Sequence, residues 1–395
     1  MSAPHHEPPR YDLVIGGGLL VDPDQGAPTS GDVAVRDGRV EAIVAPGSAD
    51  TRCADYLDAR GLLVTPGLID LHAHVYDGRT GLGTRADTVG IDTGVTTLVD
   101  AGSAGSDSFA HFGETVAATC RTRVLSWLNI SRHGLTQGSR ELAGSDSVQH
   151  AATVDTILGN PETIRGVKIR MSRSVVGDNG LEPLRAAKRV TAEIAAATGR
   201  PFPVMVHVGN APPALGDVLD LLEEGDVVTH AFHGKRGGLF PDAGQGPIPQ
   251  ALAALRRGVR FDVGHGSASF SFATMERALE AGIGPHTIST DIHQQNVAGP
   301  VHSLTTTMTK LLAVGLSLNE TVRATTSAAA GTIGLAAELG TLAVGSVADL
   351  TVLDLAEGAT RLVDAEGATR TADALLTPVA AVRAGVVHDI RKATE

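Results

Sequence analysis

Gly67-Leu68-Ile69-Asp70-Leu71-His72-Ala73-His74 is a β-type apolar run that ends in two histidines at i and i+2. Side chains two apart on a strand point to the same face, so both imidazoles of such a run converge on one point. Two convergent imidazoles at a strand end make half of a transition-metal site. Taken alone, the pair reads equally well as two unrelated polar residues at a strand edge. The residues downstream separate the two readings.

Strand-like runs recur at 96–101, 123–130, 164–171, 203–208, 226–231, 260–264 and 287–291, making eight with 67–75. Helical patterns such as 184–198, 216–223 and 272–281 separate most of them. Strands alternating with helices build parallel βα units. Eight such units within residues 66–339 predict an α/β fold, a closed (β/α)8 TIM barrel. Residues 11–65 have a different texture: short β-type runs at 11–15, 18–21, 32–35, 39–44 and 62–64, broken by Gly, Pro and Asp turns. Similar runs return at 345–354 and 378–387, so residues 11–65 and 340–395 are expected to share one small β-sandwich domain. Within it, Asp12-Leu13-Val14-Ile15 and Ala348-Asp349-Leu350-Thr351-Val352 look like partner strands. Residues 1–10 read as a mobile polar tail, and its His5 and His6 as incidental. Residues 132–149, rich in Gly and Ser and without pattern, read as a loop over the barrel mouth.

The chain of 395 residues is 42% hydrophobic and 19% charged, ordinary globular composition with apolar residues enough for a sizeable core. Its formal net charge of −12 argues against nucleic acid or an anionic membrane as a partner, since both need basic surface. No apolar run approaches the ~20 residues of a membrane span. The first ten residues lack the basic start and apolar core of a signal peptide. Cys53 and Cys120, with no CxxC, fit a reducing compartment in which both stay thiols. A cytoplasmic protein acting on a small molecule is the expectation.

In a (β/α)8 barrel the active site lies at the C-terminal ends of the strands. Strand one ends in His72 and His74, strand five in His207, strand six in His230 and strand eight in Asp291; strand four, Gly166-Val167-Lys168-Ile169-Arg170, carries Lys168 inside an apolar run. A free ammonium facing a barrel interior is costly to bury. It needs an acid partner or a chemical change, one of which is carbamylation by CO2 to a carboxylate that bridges two cations.

The order HxH, strand-four Lys, strand-five His, strand-six His, strand-eight Asp resembles the amidohydrolase superfamily. More narrowly, Gly67 to Tyr76, Gly166-Val167-Lys168-Ile169-Arg170 and Val206-His207-Val208-Gly209-Asn210 resemble the dihydroorotase-like branch and its bacterial amidohydrolase/deacetylase metallohydrolases. The resemblance implies two divalent metal ions, Zn2+ before Mn, Fe or Co. His72, His74 and Asp291 would hold the more buried ion and His207 and His230 the other. Carboxylated Lys168 and a shared hydroxide would bridge them. Asp291 would also be catalytic, moving the proton to the leaving group. On the substrate side, Arg170, two residues beyond Lys168, is placed to bind a carboxylate bidentately. Asn210, Tyr76 and His233 are further substrate-side candidates, Tyr76 for a developing oxyanion; His265 and His293 read as pocket walls. The expected reaction is hydrolysis of an amide or ester of a small acylated, carboxylate-bearing substrate. The alternatives are cyclic amide or imide opening, as in dihydroorotases and hydantoinases, and a non-catalytic barrel scaffold. The six filled positions argue against the scaffold. By analogy with the branch, a homo-oligomer is expected.

Overall fold

The computed structural model describes residues 10–49, 53–144, 146–241 and 244–390; His5 and His6 and the tail that holds them lie outside the described residues. Five strands come first: β1 (Tyr11–Leu20), β2 (Thr29–Arg36), β3 (Arg39–Val44), β4 (Cys53–Asp58) and β5 (Leu63–Pro66). Then follow β6 (Leu68–Ala73), β7 (Val95–Ala101), β8 (Arg123–Asn129), β9 (Ile164–Met171), β10 (Val204–Val208), β11 (Val227–Thr229) and β12 (Arg260–Phe261). The chain ends with β13 (Leu350–Val363), β14 (Thr369–Arg383) and β15 (Val386–Asp389).

Strands β6 to β12 lie side by side in chain order, each pair parallel. Every residue of β6 and β7 is buried, the polar Asp70, His72, Thr96, Thr97 and Asp100 included, because one face lines the barrel and the other is covered. The helix Glu182–Thr198 covers β9 and β10 in this way, with Leu184, Ala187, Val190 and Ile194 buried at helical spacing.

The expected eighth strand is present only as isolated bridges, Asp262 to Thr287 on one side and Ala73 to Ile292 on the other. Its backbone nonetheless closes the ring. Val263 N donates to Thr287 O (3.1 Å) and His265 N to Ser289 O (3.1 Å), while Asp291 N donates to His72 O (2.6 Å) and His74 N to Ile292 O (2.9 Å). The ladder is interrupted because Asp291 adopts φ +51°, outside the strand region. Two buried carboxylates fasten this seam. Asp262 accepts the hydroxyls of Thr229, Thr287 and Ser289 at 2.8, 2.7 and 2.6 Å. Asp70 accepts Thr290 through its backbone N–H (3.0 Å) and its hydroxyl (2.5 Å).

The remaining strands form one sheet in the order β15-β14-β13-β5-β1-β2-β3, with β4 beside β1. Leu13, Ile15, Val33 and Val35 share its core with Leu350, Val352 and Val382, so both chain ends build one β-sandwich domain beside the barrel. The expected partnership of 12–15 with 348–352 is not the one adopted. β5 stands between them, parallel to β1 and antiparallel to β13. All four of its residues are buried, so this short strand takes the central place. The hairpin of β13 and β14 is also far longer than its apolar patches suggest, because its middle is exposed and carries no apolar signal. It reaches over the barrel, where Leu353, Leu362, Ala372 and Leu376 join the barrel core and Asp364 accepts Phe272 N (2.9 Å). No helix among the described residues is long and apolar enough to cross a membrane.

Candidate metal centre

Six side chains converge at the C-terminal mouth of the barrel. His72 and His74 come from β6, Lys168 from β9, His207 from β10, His230 from the residue after β11, and Asp291 from the closing segment. Asp291 Oδ1 lies 3.2 Å from His72 Nε2 and 3.1 Å from His74 Nε2, and Oδ2 lies 3.8 Å from His230 Nε2. Lys168 Nζ is 2.9 Å from His72 Nε2. The His207 ring stands edge-on to His230 with centroids 4.4 Å apart. Strand parity alone does not aim the last two side chains: His230 and Asp291 both have positive φ, +65° and +51°. Such conformations cost of order 1–3 kcal/mol each in non-glycine residues, and persist where the surroundings hold them.

Counting protons shows what the cluster lacks. Thr229 spends its one hydroxyl hydrogen on Asp262, so its oxygen accepts from His72 Nδ1 at 2.8 Å. The His72 proton is therefore on Nδ1, and Nε2 turns a lone pair inward. His230 Nδ1 lies 2.5 Å from the Gly264 carbonyl, which can only accept, so His230 Nε2 also carries a bare lone pair. That atom is buried without a hydrogen-bond partner among the described residues. His74 Nδ1 meets Ser103 Oγ at 3.0 Å. The inward atoms of His72 and His230 are thus acceptors, and they face a carboxylate, itself an acceptor. Lys168 Nζ meets His72 Nε2, but His230 Nε2 and Asp291 Oδ2 still face each other as two acceptors, an arrangement that a cation among the groups relieves. His72, His230 and Asp291 offer ligand atoms within 4.8 Å of one another. Burial pushes the His72 and His207 imidazoles well below their ordinary pKa, with Lys168 adding to the shift, and burial takes His230 down to about 3. Neutral imidazoles are what a metal requires. The residues present fit a divalent metal centre.

Lys168 is wholly buried, and its Nζ touches His72 Nε2 and, at 3.7 Å, Met205 Sδ. Among the described residues no carboxylate lies within ion-pairing distance of it, and burial, opposed by the charges of Asp291 and Asp262, takes its pKa down to about 7.

The Thr229–Asp262 pair predicts a measurable dependence. Thr229→Val keeps the shape and removes the acceptor that sets the His72 tautomer. Groups that orient metal-binding histidines are worth 10–100-fold in affinity, so metal should bind this variant about 10–100-fold more weakly in competition with a chromogenic chelator. Unchanged affinity would mean that something else orients His72.

The substrate-side candidates fare differently. The Arg170 fork is occupied from within: Nε and Nη2 donate to Glu141 at 2.7 and 3.0 Å, and Nη2 donates again to Ser139 O at 2.9 Å. The Glu141 side chain is 1% exposed, so this is an internal ion pair. Tyr76 shares the parity of His72 and His74, but β6 ends at Ala73 and parity ends with it. Its ring packs against Phe112, and its hydroxyl bonds to Ser108 O (3.2 Å) and His111 Nδ1 (2.8 Å) instead of facing the metal cluster. Asn210 is exposed just beyond β10, its carbonyl accepting Arg173 N at 3.0 Å. His233 is buried, its Nδ1 accepting Lys235 N at 3.1 Å, and burial takes its pKa down to about 4. His265 is enclosed between Gly266 O and Lys310 Nζ (2.9 and 2.8 Å), whereas His293 lies by the site, its ring centroid 6.4 Å from that of His74. Sequence reasoning passed over Ser103, Thr229, Asp262 and Glu141. Thr229 and Asp262 are polar residues inside apolar runs, a signal that finds them; Glu141 sits in an unpatterned loop and gives none.

Comparison with known proteins finds relatives across nearly the whole chain. Residues 342–389 match the family model described as a deacetylase-like composite domain. A protein of Enterococcus faecalis named deacetylase is 36% identical over 380 residues, spanning 96% of this chain and 99% of its own. A solved structure named as an adenine deaminase superposes with a TM-score of 0.89 at 36% identity, covering 96% of this chain and 100% of that one. Another, named as a dihydroorotase, gives 0.86 at 33% identity, covering 95% and 99%.

Proposed function

The chain belongs to the deacetylase family within the amidohydrolase superfamily, and from that premise we propose that it removes an acyl group from a small, carboxylate-bearing molecule across an amide or ester bond. The observation that carries this reading is the inward lone pair on His230, buried among the described residues without a donor, beside the Asp291 carboxylate and a His72 nitrogen met only by the half-neutralised Lys168. His72, His74 and Asp291 would hold one divalent ion and His207 and His230 a second, with Zn2+ the first candidate for this nitrogen and oxygen donor set. Lys168 would bridge them as a carbamate. To form it, the neutral amine nitrogen would bond to the carbon of CO2 as one C–O π pair moves onto oxygen, and the N–H proton would pass through His72 Nε2, 2.9 Å away, to solvent, leaving an anionic carboxylate. A buried amine with a pKa of about 7 is substantially neutral, as that addition needs.

Bound divalent ions supply the polarisation of the substrate carbonyl and the acidity of water at neutral pH. The chain's own contribution is proton transfer and positioning. Asp291 takes the proton of the attacking water and returns it to the leaving nitrogen or oxygen. Gly266 lets backbone lie against that carboxylate: a Cβ there would stand 2.6 Å from Asp291 Oδ2. An amide nitrogen needs the returned proton to leave, and an ester oxygen needs it less, so one site serves both bonds.

Purified protein should contain about two divalent ions per chain, lose activity on chelation and regain it with Zn2+. Full activity in metal-free protein would sink the reading. The similarity to a structure named as a dihydroorotase supports a second reading, opening of a cyclic amide. It uses the same centre with a different pocket. Offering N-acyl amino acids, O-acyl hydroxy acids, dihydropyrimidines and hydantoins to one preparation separates the two.

A further inference from the structure

We propose that Lys235, on the loop that follows β11, anchors the carboxylate of the substrate. The inference deepens the deacylase reading and rests on it. The loop runs His230-Ala231-Phe232-His233-Gly234-Lys235 and starts at a residue of the metal cluster. Ala231, Phe232 and His233 are buried and hold its first half in the barrel. The His233 ring accepts Lys235 N and fixes the turn. On the other side the tip of the β13–β14 hairpin presses Glu366 against Gly234, where a Cβ would stand 2.2 Å from Oε1. Lys235 is thus carried by backbone clamped between the barrel and the composite domain, not by a loose surface loop.

Its side chain is half-buried and, among the described residues, forms no hydrogen bond or ion pair. The charges that act on it across space are Asp291 first and Glu366 second, and it acts in turn on His230 and His233. The ammonium therefore stands within electrostatic reach of the reacting end of the site without being used by it. A half-buried cation with no partner is unfavourable, and an incoming carboxylate relieves it. Arg170 already gives Nε and Nη2 to Glu141 and Ser139, so a carboxylate that took its fork bidentately would break the Glu141 pair, and separating a buried pair strands a charge. Lysine chemistry also suits an anchor, since a compact charge on a flexible stem reaches carboxylates on substrates of different length.

The test uses the metal-loaded enzyme and two matched probe pairs, N-acetylalanine against its carboxamide and O-acetyllactate against its carboxamide. The acid of each pair should be hydrolysed with the higher kcat/KM by the wild type. Lys235→Met should lose at least ~10-fold on the acids, chiefly through KM, and little on the carboxamides, with metal content unchanged. Lys235→Arg should recover part of the loss. Calorimetric binding of lactate and N-acetylalanine provides a readout without turnover and should weaken at least ~10-fold in Lys235→Met. Glu366→Gln controls for a purely structural pair. If it and Lys235→Met depress acids and carboxamides equally, the lysine only holds the loop and the inference fails. If the wild type turns over neither series, the deacylase reading fails, and the binding measurements still decide whether Lys235 holds a carboxylate.

Discussion

Asp291→Asn is expected to lower kcat for an amide substrate by ~10²–10⁴-fold while most of the metal stays bound. Asparagine keeps an oxygen that can face His72 and His74, the contacts Asp291 Oδ1 now makes at 3.2 and 3.1 Å. It cannot accept and return a proton. The backbone should hold its place, since Asn296 Nδ2 donates to the carbonyl of residue 291 at 2.9 Å and does not involve its side chain. The loss should shrink for an ester of an acidic phenol, whose phenolate leaves without a proton. Metal analysis beside steady-state kinetics on both substrates checks the claim. An Asn variant with both ions and near wild-type amide turnover would remove Asp291 from proton transfer. His293, whose ring lies beside His74, would be the next group to examine.

Lys168→Ala is expected to lose the paired metal site and with it activity, by more than the ~10²-fold that removal of a merely orienting group costs. Lys168 is wholly buried and its stem packs on Gly102, where a Cβ would stand 2.8 Å from the lysine Cβ and Cγ. Truncation therefore leaves a cavity lined by the same imidazoles. Formate, acetate or propionate entering it offers the carboxylate that the carbamate would have supplied, and partial recovery of metal content and rate is the expected signature. Electron density for an unmodified amine with both ions in place would exclude the bridging role.

The sequence was informative wherever a residue's role follows from its own strand. Apolar runs of strand length alternating with helical patterns specify parallel βα units, and β6 to β12 pair in chain order as that rule requires. The convergence of His72, His74, Lys168 and His207 was legible for the same reason, since parity along a strand and position at its end are local properties, while His230 was legible by position alone because its positive φ sets its direction. The closing segment was legible in composition but not in form, because the positive φ of Asp291 breaks the ladder.

What local pattern cannot carry is the identity of a partner far away in the chain. Arg170 and Glu141 are 29 residues apart and meet only because the unpatterned loop folds back over the mouth. His72 and Thr229 are 157 apart, yet their contact decides which imidazole nitrogen faces the centre. Tyr76 lies two residues past His74, but the strand has ended and packing against Phe112 turns it elsewhere. Lys235 acquires its surroundings from Asp291 and from Glu366 on the distant hairpin. Periodicity reports which face a side chain leaves from. Which donor meets which acceptor is settled by packing among elements brought together from the whole chain, because each buried polar group takes the partner the fold places beside it. The sequence by itself thus determined the barrel and the kind of chemistry at its mouth, while the tertiary structure alone decided the tautomers, the arginine already paired and the lysine left to meet a substrate.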